Sequence, residues 1–201
     1  MPFTTAAIDF LAQLEANNGR DWFQPRKQEF DLSVREPMVR FVERLNADLA
    51  ESAPDYVTDP RKSIYRIYRD TRFSKDKTPY KTHIGALFPH RALGKDGGAA
   101  LYFHLSPKEL LIAGGLYKCP PPMLLPIRQH IADQHERLTA ILKAKPVRQL
   151  FGAMQGDQLT RPPKGWSAGH PAIGYLRHAW RAIAGTAPAE SGHARARHRR
   201  L

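Results

Sequence analysis

The side chains best suited to chemistry are concentrated in residues 66–81, Arg66-Ile67-Tyr68-Arg69-Asp70-Thr71-Arg72-Phe73-Ser74-Lys75-Asp76-Lys77-Thr78-Pro79-Tyr80-Lys81. Six basic side chains and two acids are interleaved there with tyrosine and phenylalanine. Guanidinium forks bind phosphate or carboxylate bidentately, and lysine adds a point charge. Aromatic rings among cations can stack on a base or cover a ring. The pattern points to Arg69, Arg72, Lys75, Lys77 and Lys81 as holders of an anion, with Tyr80 or Phe73 as a wall. Asp70 and Asp76 orient those cations, or serve as acid and base if the site is catalytic. The same acids are also placed to pair with Arg72, Lys75 or Arg69 and pin the loop internally, a common fate of charge clusters.

Other constellations are less specific. Gly114-Gly115-Leu116-Tyr117-Lys118 precedes a proline-led helix, and backbone N–H groups at such a junction can cradle a phosphate. Gly115 and Tyr117 are therefore further ligand-binding candidates. The spacing matches neither a Walker loop nor a dinucleotide fingerprint, and a tight strand-to-helix turn accounts for the same glycines. Cys119 is the one cysteine, which excludes an intramolecular disulfide and a cysteine-based zinc site. The nine histidines show no metal-ligand spacing, so no metal and no cofactor is expected. His83 and His104 are the two to consider as proton carriers. The serines lack a G-x-S-x-G context.

These residues must be positioned by the 201-residue chain around them, a length that suits one domain. With 42% hydrophobic and 25% charged residues, the composition is that of a globular protein rather than a disordered or collagen-like chain. The formal charge is +12 but unevenly spread. Residues 1–60 carry a net −5, residues 61–91 a net +7, residues 92–184 a net +7 and residues 185–201 a net +3. An acidic first third thus meets a basic middle, an asymmetry that can mark a binding face. The N-terminus lacks a secretory signal, and no apolar run spans a bilayer, so no membrane association and a reducing cytoplasm are expected.

The periodicity predicts a first helix carrying Ile8, Leu11 and Leu14, stopped at Asn17-Asn18-Gly19. Phe30, Val34, Met38, Phe41, Leu45 and Leu49 recur at steps of 4, 4, 3, 4 and 4, the stripe of a long helix. Pro37 inside it predicts a kink or a helix junction. Strand signals cover residues 64–69 and 83–88, and a hairpin over residues 99–113 turns at Ser106-Pro107-Lys108. One helix is expected after Pro120-Pro121-Pro122, a short one over residues 147–151 and another over residues 171–180. Helices, then antiparallel strands, then helices argue for an α+β fold in which N-terminal and C-terminal helices cover the sheet. A single domain is expected over residues 1–184, followed by a disordered basic tail over residues 185–201.

The run RDTRFSKDKTPYK, preceded by FLAQLEANNGRDWF and REPM and followed by AGGLYKCPPPMLLPIRQHI and RPPKGW, resembles the conserved hypothetical proteins known as domain of unknown function 2461. The likeness runs in order from about Phe3 to about His178. It implies a cytoplasmic single-domain protein and brings no activity, substrate or cofactor. By resemblance, Arg69, Asp70, Arg72, Phe73, Lys75, Asp76, Lys77, Pro79, Tyr80 and Lys81 fall in the family's signature. Asn17, Asn18, Trp22, Phe23, Gly115, Tyr117, Arg128 and Pro163-Lys164-Gly165 match other blocks. The pattern is lost after about Leu176, which implies a truncated or frameshifted end.

Three functions remain open on the residues alone. One is a module that binds an anionic, phosphate- or carboxylate-bearing ligand through the basic signature loop. Another is an enzyme on a phosphorylated or nucleic-acid substrate, using Asp70 or Asp76 with a nearby lysine. The third is a salt-bridged latch in which the loop grips the acidic N-terminal helices and takes no ligand.

Overall fold

In the first helix, α1 (Thr5–Ala16), Ala7, Phe10, Leu11 and Leu14 fall on one face and are buried. The helix ends at Asn17, whose N–H donates to the Gln13 carbonyl. Short turns follow, α2 (Arg20–Phe23), a 3-10 turn over Gln24–Arg26 and α3 (Lys27–Phe30), before the long α4 (Glu36–Ser52). The computed structural model describes residues 3–94, 98–116, 120–179 and 181–189. Between α3 and α4 lies a π-helical turn, Asp31–Arg35. It marks the junction that Pro37 predicts. Pro37 has no N–H to offer the Ser33 carbonyl. The backbone widens instead, and the Glu36 N–H donates to Asp31, five residues back. Pro37 then sits in the first turn of α4, where a missing N–H leaves nothing unsatisfied.

Strands β1 (Ile84–Pro89), β2 (Ala100–Leu105), β3 (Glu109–Leu116) and β4 (Arg181–Pro188) form one antiparallel sheet in the order β1-β2-β3-β4. The fold is α+β, as the order of elements predicts. Side chains alternate along each strand. Ile84, Ala86 and Phe88 of β1 and Phe103 and Leu105 of β2 are buried in the core with α1 and α4 residues. The intervening residues Gly85, Tyr102 and His104 therefore fall on the opposite face. At the hairpin turn the Ser106 hydroxyl accepts from the N–H groups of Lys108 and Glu109, at 3.2 and 3.0 Å.

Several elements differ from the sequence reading. Residues 64–69 do not form a strand. They follow α5 (Pro60–Ser63), capped by the Asp59 carboxylate, and pair only at isolated bridges, Ile64 with Ala86 and Tyr68 with Tyr80. The segment changes partner part-way, from β1 to residues 79–81, so no continuous ladder forms. The helix after Pro120 is split at Gln134 into α6 (Pro121–Asp133) and α7 (His135–Lys143). Then come α8 (Lys145–Leu150) and α9 (Ile173–Leu176), the latter shorter than the predicted helix. Strand β4 reaches Pro188, beyond the expected start of the tail. Composition reports on side chains, whereas strand pairing uses the backbone, and small residues such as Gly185 and Ala187 still supply it. Residues 190–201 lie outside the described residues.

The chain divides into two compact units, one of Met1–Phe88, Tyr102–Ile112 and Thr186–Leu201, the other of Pro89–Leu101 and Ala113–Gly185. The first holds an aromatic core, with Phe41 and Phe103 rings 4.4 Å apart and Phe23 and Tyr80 rings 4.2 Å apart. The second has its own small core of Ile131, Ala172 and Leu176. There Arg128 of α6 donates from Nε to the Leu176 carbonyl at 2.9 Å, fastening α6 to α9. Among the described residues no helix is long and apolar enough to cross a membrane.

Gly85 is a point of close approach between β1 and β2. A Cβ there would lie 2.8 Å from the Tyr102 hydroxyl and 3.2 Å from both the His104 Cβ and the Phe103 carbonyl oxygen. Gly85→Ala is expected to destabilise the protein by about 1–3 kcal/mol in urea titration, the usual cost of overpacking. Gly174→Ala, in α9 with open space around it, is the control and should be neutral or slightly stabilising.

Candidate functional site

The signature loop is closed at its base by a short antiparallel pairing. The Arg69 N–H donates to the Pro79 carbonyl at 2.9 Å, and the Lys81 N–H donates to the Ile67 carbonyl at 2.8 Å. Between them Tyr80 is buried, 1% exposed, against Phe23 and Tyr68. Its backbone is held from the other side by Asn18, in the turn after α1. The Asn18 amide donates to the Tyr80 carbonyl and its oxygen accepts the Tyr80 N–H, both at 3.0 Å. A side-chain amide thus does what a neighbouring strand would do. Of the two rings expected to wall a ligand, Tyr80 faces the core and Phe73 faces solvent.

Within the loop the charges pair with one another. The Arg69 guanidinium donates to the Asp76 carboxylate and to the Thr78 hydroxyl. The second Asp76 oxygen accepts the Thr78 N–H at 2.9 Å. Arg72 grips Asp70 bidentately, from Nε at 3.0 Å and Nη2 at 2.7 Å. The Lys77 ammonium donates to the Thr71 carbonyl at 2.9 Å. That of Lys81 donates to the Arg66 carbonyl at 2.7 Å and lies 5.2 Å from the centre of the Tyr65 ring.

These contacts set the protonation states. Hydrogen bonds from Arg72 hold the Asp70 carboxyl down at about 2. The Thr78 N–H, then the Arg69 guanidinium, do the same for Asp76, also to about 2. Burial lowers Lys81, and the nearby Arg66 charge adds to the effect. Both carboxyls are therefore ionised across the neutral range, which suits a frame for cations. The neutral Asn18–Tyr80 clamp ties the loop to the turn after α1, and the ion pairs of Arg69 with Asp76 and of Arg72 with Asp70 stay inside the loop.

Two groups at the tip face outward. Phe73 is 95% exposed, with the Arg72 guanidinium 5.8 Å from its ring centre. Lys75 makes no hydrogen bond or ion pair among the described residues. Gly115 lies in β3, in the second unit, with φ 153°, and Tyr117 lies outside the described residues.

Two assemblies are not legible in the sequence, although His83 and His104 of the second are its two candidate proton carriers. An open cleft of about 280 Å³ adjoins the loop's leading segment, and of the six cations in residues 66–81 only Arg66 lines it. Its other cations, Lys27 and Arg35, belong to the acidic first third, where net charge hid them. The second feature is a polar cluster on the sheet face away from the core. The His83 and His104 rings are 4.8 Å apart, the Tyr102 hydroxyl is 3.1 Å from His104 Nδ1, and the Glu109 carboxylate is 3.5 Å from His104 Nε2. Burial pushes His83 down to about 4, with His104 and Lys81 adding to it, and pushes Tyr102 up to about 12. Burial also lowers His104, opposed by Glu109. Strand alternation puts Tyr102 and His104 on one face of β2, but only the pairing of β1 with β2 brings in His83, the residue before β1.

The family model for conserved hypothetical proteins, DUF2461, matches residues 6–191. The chain belongs to this family. The match takes in α1, the Asn18 clamp, the signature loop and all four strands, so the geometry described is that of a DUF2461 domain. No curated protein and no solved structure matches the chain.

Two outcomes follow from the site's geometry. Asn18→Ala removes both bonds to the partly buried Tyr80 backbone and should cost about 1–3 kcal/mol in chemical denaturation, with faster hydrogen exchange at the Tyr80 amide. Asn18→Asp keeps the acceptor for the Tyr80 N–H but turns a carboxylate oxygen toward the Tyr80 carbonyl, so it should not restore the loss. The second concerns pH. Unfolded His83 takes up its proton near 6.5 and folded His83 only near 4, so in between unfolding binds a proton. Stability should fall as pH drops from about 6.5 to about 4. His83→Gln should flatten that part of the profile in denaturation midpoints measured at each pH.

Proposed function

We propose that the protein binds an anionic, phosphate- or carboxylate-bearing ligand through the tip of the signature loop. The observation that carries this reading is the 95% exposed Phe73 ring, with the Arg72 guanidinium 5.8 Å from its centre and the exposed, unpaired Lys75 two residues further along, on a loop tied down by its own side chains. A lone exposed apolar side chain is ordinary on a protein surface. A ring beside cations on a pre-ordered loop is a different matter, because a ligand meeting it loses little further loop entropy. Lys75 supplies a point charge, and Arg72 retains the guanidinium edge that Asp70 does not use. Phe73 covers an apolar or planar part of the ligand. Arg69, Lys77 and Lys81 hold the frame, and Asp70 and Asp76, ionised far below neutral pH, orient cations rather than exchange protons. A cytoplasmic location fits the reading, since a chain with Cys119 as its one cysteine has no disulfide to protect.

The test is a titration with pyrophosphate, citrate and a short oligothymidylate, followed by backbone amide shifts. At least one of these anions should shift residues 72–75 saturably. Lys75→Ala and Phe73→Ala should each weaken it by about tenfold, the size of a charge-assisted contact or a stacked ring. Both side chains are outside the core, so the variants should melt like the parent. If the oligothymidylate is the tight binder, its affinity should fall steeply with salt. Undisturbed 72–75 amides with all three anions, or parental affinity in both variants, would overturn the reading.

A further inference from the structure

The cleft beside the loop is built as a site in its own right. Its floor comes from core side chains: Phe23, Phe30, Ile67 and Ile84 line it and are buried. Tyr65 and Tyr68 also line it, each 42% exposed, and give it aromatic walls. The rim is polar. Lys27, Arg35 and Arg66 stand there with Asp31 as the one acid among the lining residues, a net charge of +2. Asp31 is shared by two of the cations: the Lys27 ammonium donates to it at 3.2 Å, and the Arg35 guanidinium forms a looser ion pair with it at 4.0 Å. The Arg66 side chain makes no ion pair among the described residues.

The π-helical turn supplies two of the rim groups. Asp31 and Arg35 are its first and last residues, and both line the cleft. Such turns recur at functional sites because they re-aim side chains on an otherwise regular helix. Here the turn accommodates Pro37 at the start of α4, a proline that does not itself line the cleft.

From this we infer that the cleft binds a small ligand made of one flat apolar ring and one anionic group, such as an aryl phosphate or aryl carboxylate. The apolar floor and tyrosine walls take the ring, and Arg66 with Arg35 takes the anion. A volume of about 280 Å³ falls at the lower edge of small-molecule pockets, which admits a single ring and excludes a dinucleotide. No residue from 69 to 81 lines the cleft, so the site is independent of the loop tip.

Phenyl phosphate is the probe, with inorganic phosphate as the anion lacking a ring and benzyl alcohol as the ring lacking a charge. Calorimetry on the full chain should show saturable binding of phenyl phosphate, at least about tenfold tighter than either control, because ring and anion contacts act together. Arg66→Ala should weaken it by about tenfold or more, the loss of a charged hydrogen bond. Arg66 is exposed, so that variant should fold normally. The Phe73→Ala/Lys75→Ala double variant should bind phenyl phosphate like the parent, which separates this site from the loop tip. Absence of saturation, equal affinity for inorganic phosphate, unchanged affinity in Arg66→Ala, or loss of binding in the loop double variant would each overturn the inference.

Discussion

The first unit depends on how Tyr80 is held. Its ring fills the aromatic core against Phe23, and its backbone is clamped by the Asn18 amide on one side and paired with Tyr68 on the other. A buried backbone N–H and carbonyl must find partners. With no strand beside residues 79–81 on that side, a side-chain amide with one donor and one acceptor is what can satisfy both. Everything between Tyr68 and Tyr80 then becomes a loop closed at its base and anchored in the core through Tyr80. Without that closure Arg69 and Asp76 would not be held within reach of each other.

The positive charge takes a different meaning once these contacts are known. The basic middle of the chain is not a uniform electrostatic surface. Arg69 and Arg72 are matched by Asp76 and Asp70, and Lys77 and Lys81 are bonded to backbone carbonyls. Of the six cations in residues 66–81, Lys75 at the tip and Arg66 at the rim of the cleft have no ion pair among the described residues. Surface ion pairs contribute little to stability. Their value here is conformational, since a loop with its own charges paired presents the unpaired ones in fixed places.

Part of this was legible along the chain. The hairpin could be read because Ser106-Pro107-Lys108 is a local turn between alternating residues, and the N-terminal helices because their stripe repeats at helical spacing. Pro37 announced a break for a local reason, a missing N–H, although not that a π-helical turn would accommodate it. The strand expected over residues 64–69 failed because β-propensity says nothing about whether one partner persists along the segment. Nearness in sequence paired Asp70 with Arg72, but Arg69 reaches past its neighbour Asp70 to Asp76, across the loop.

The sequence by itself determined the α+β class, the position of the basic loop and the residue types within it, because these rest on local spacing and composition. Only the tertiary structure decided which of those residues face solvent. It put Tyr80 in the core and Phe73 at the tip, although both are aromatic residues of one signature. It also assembled the cleft from Lys27, Arg35 and Arg66, cations from stretches of opposite net charge. The physical reason is the same in both cases. Burial and pairing are properties of contacts between distant segments, and a one-dimensional pattern constrains such contacts only weakly.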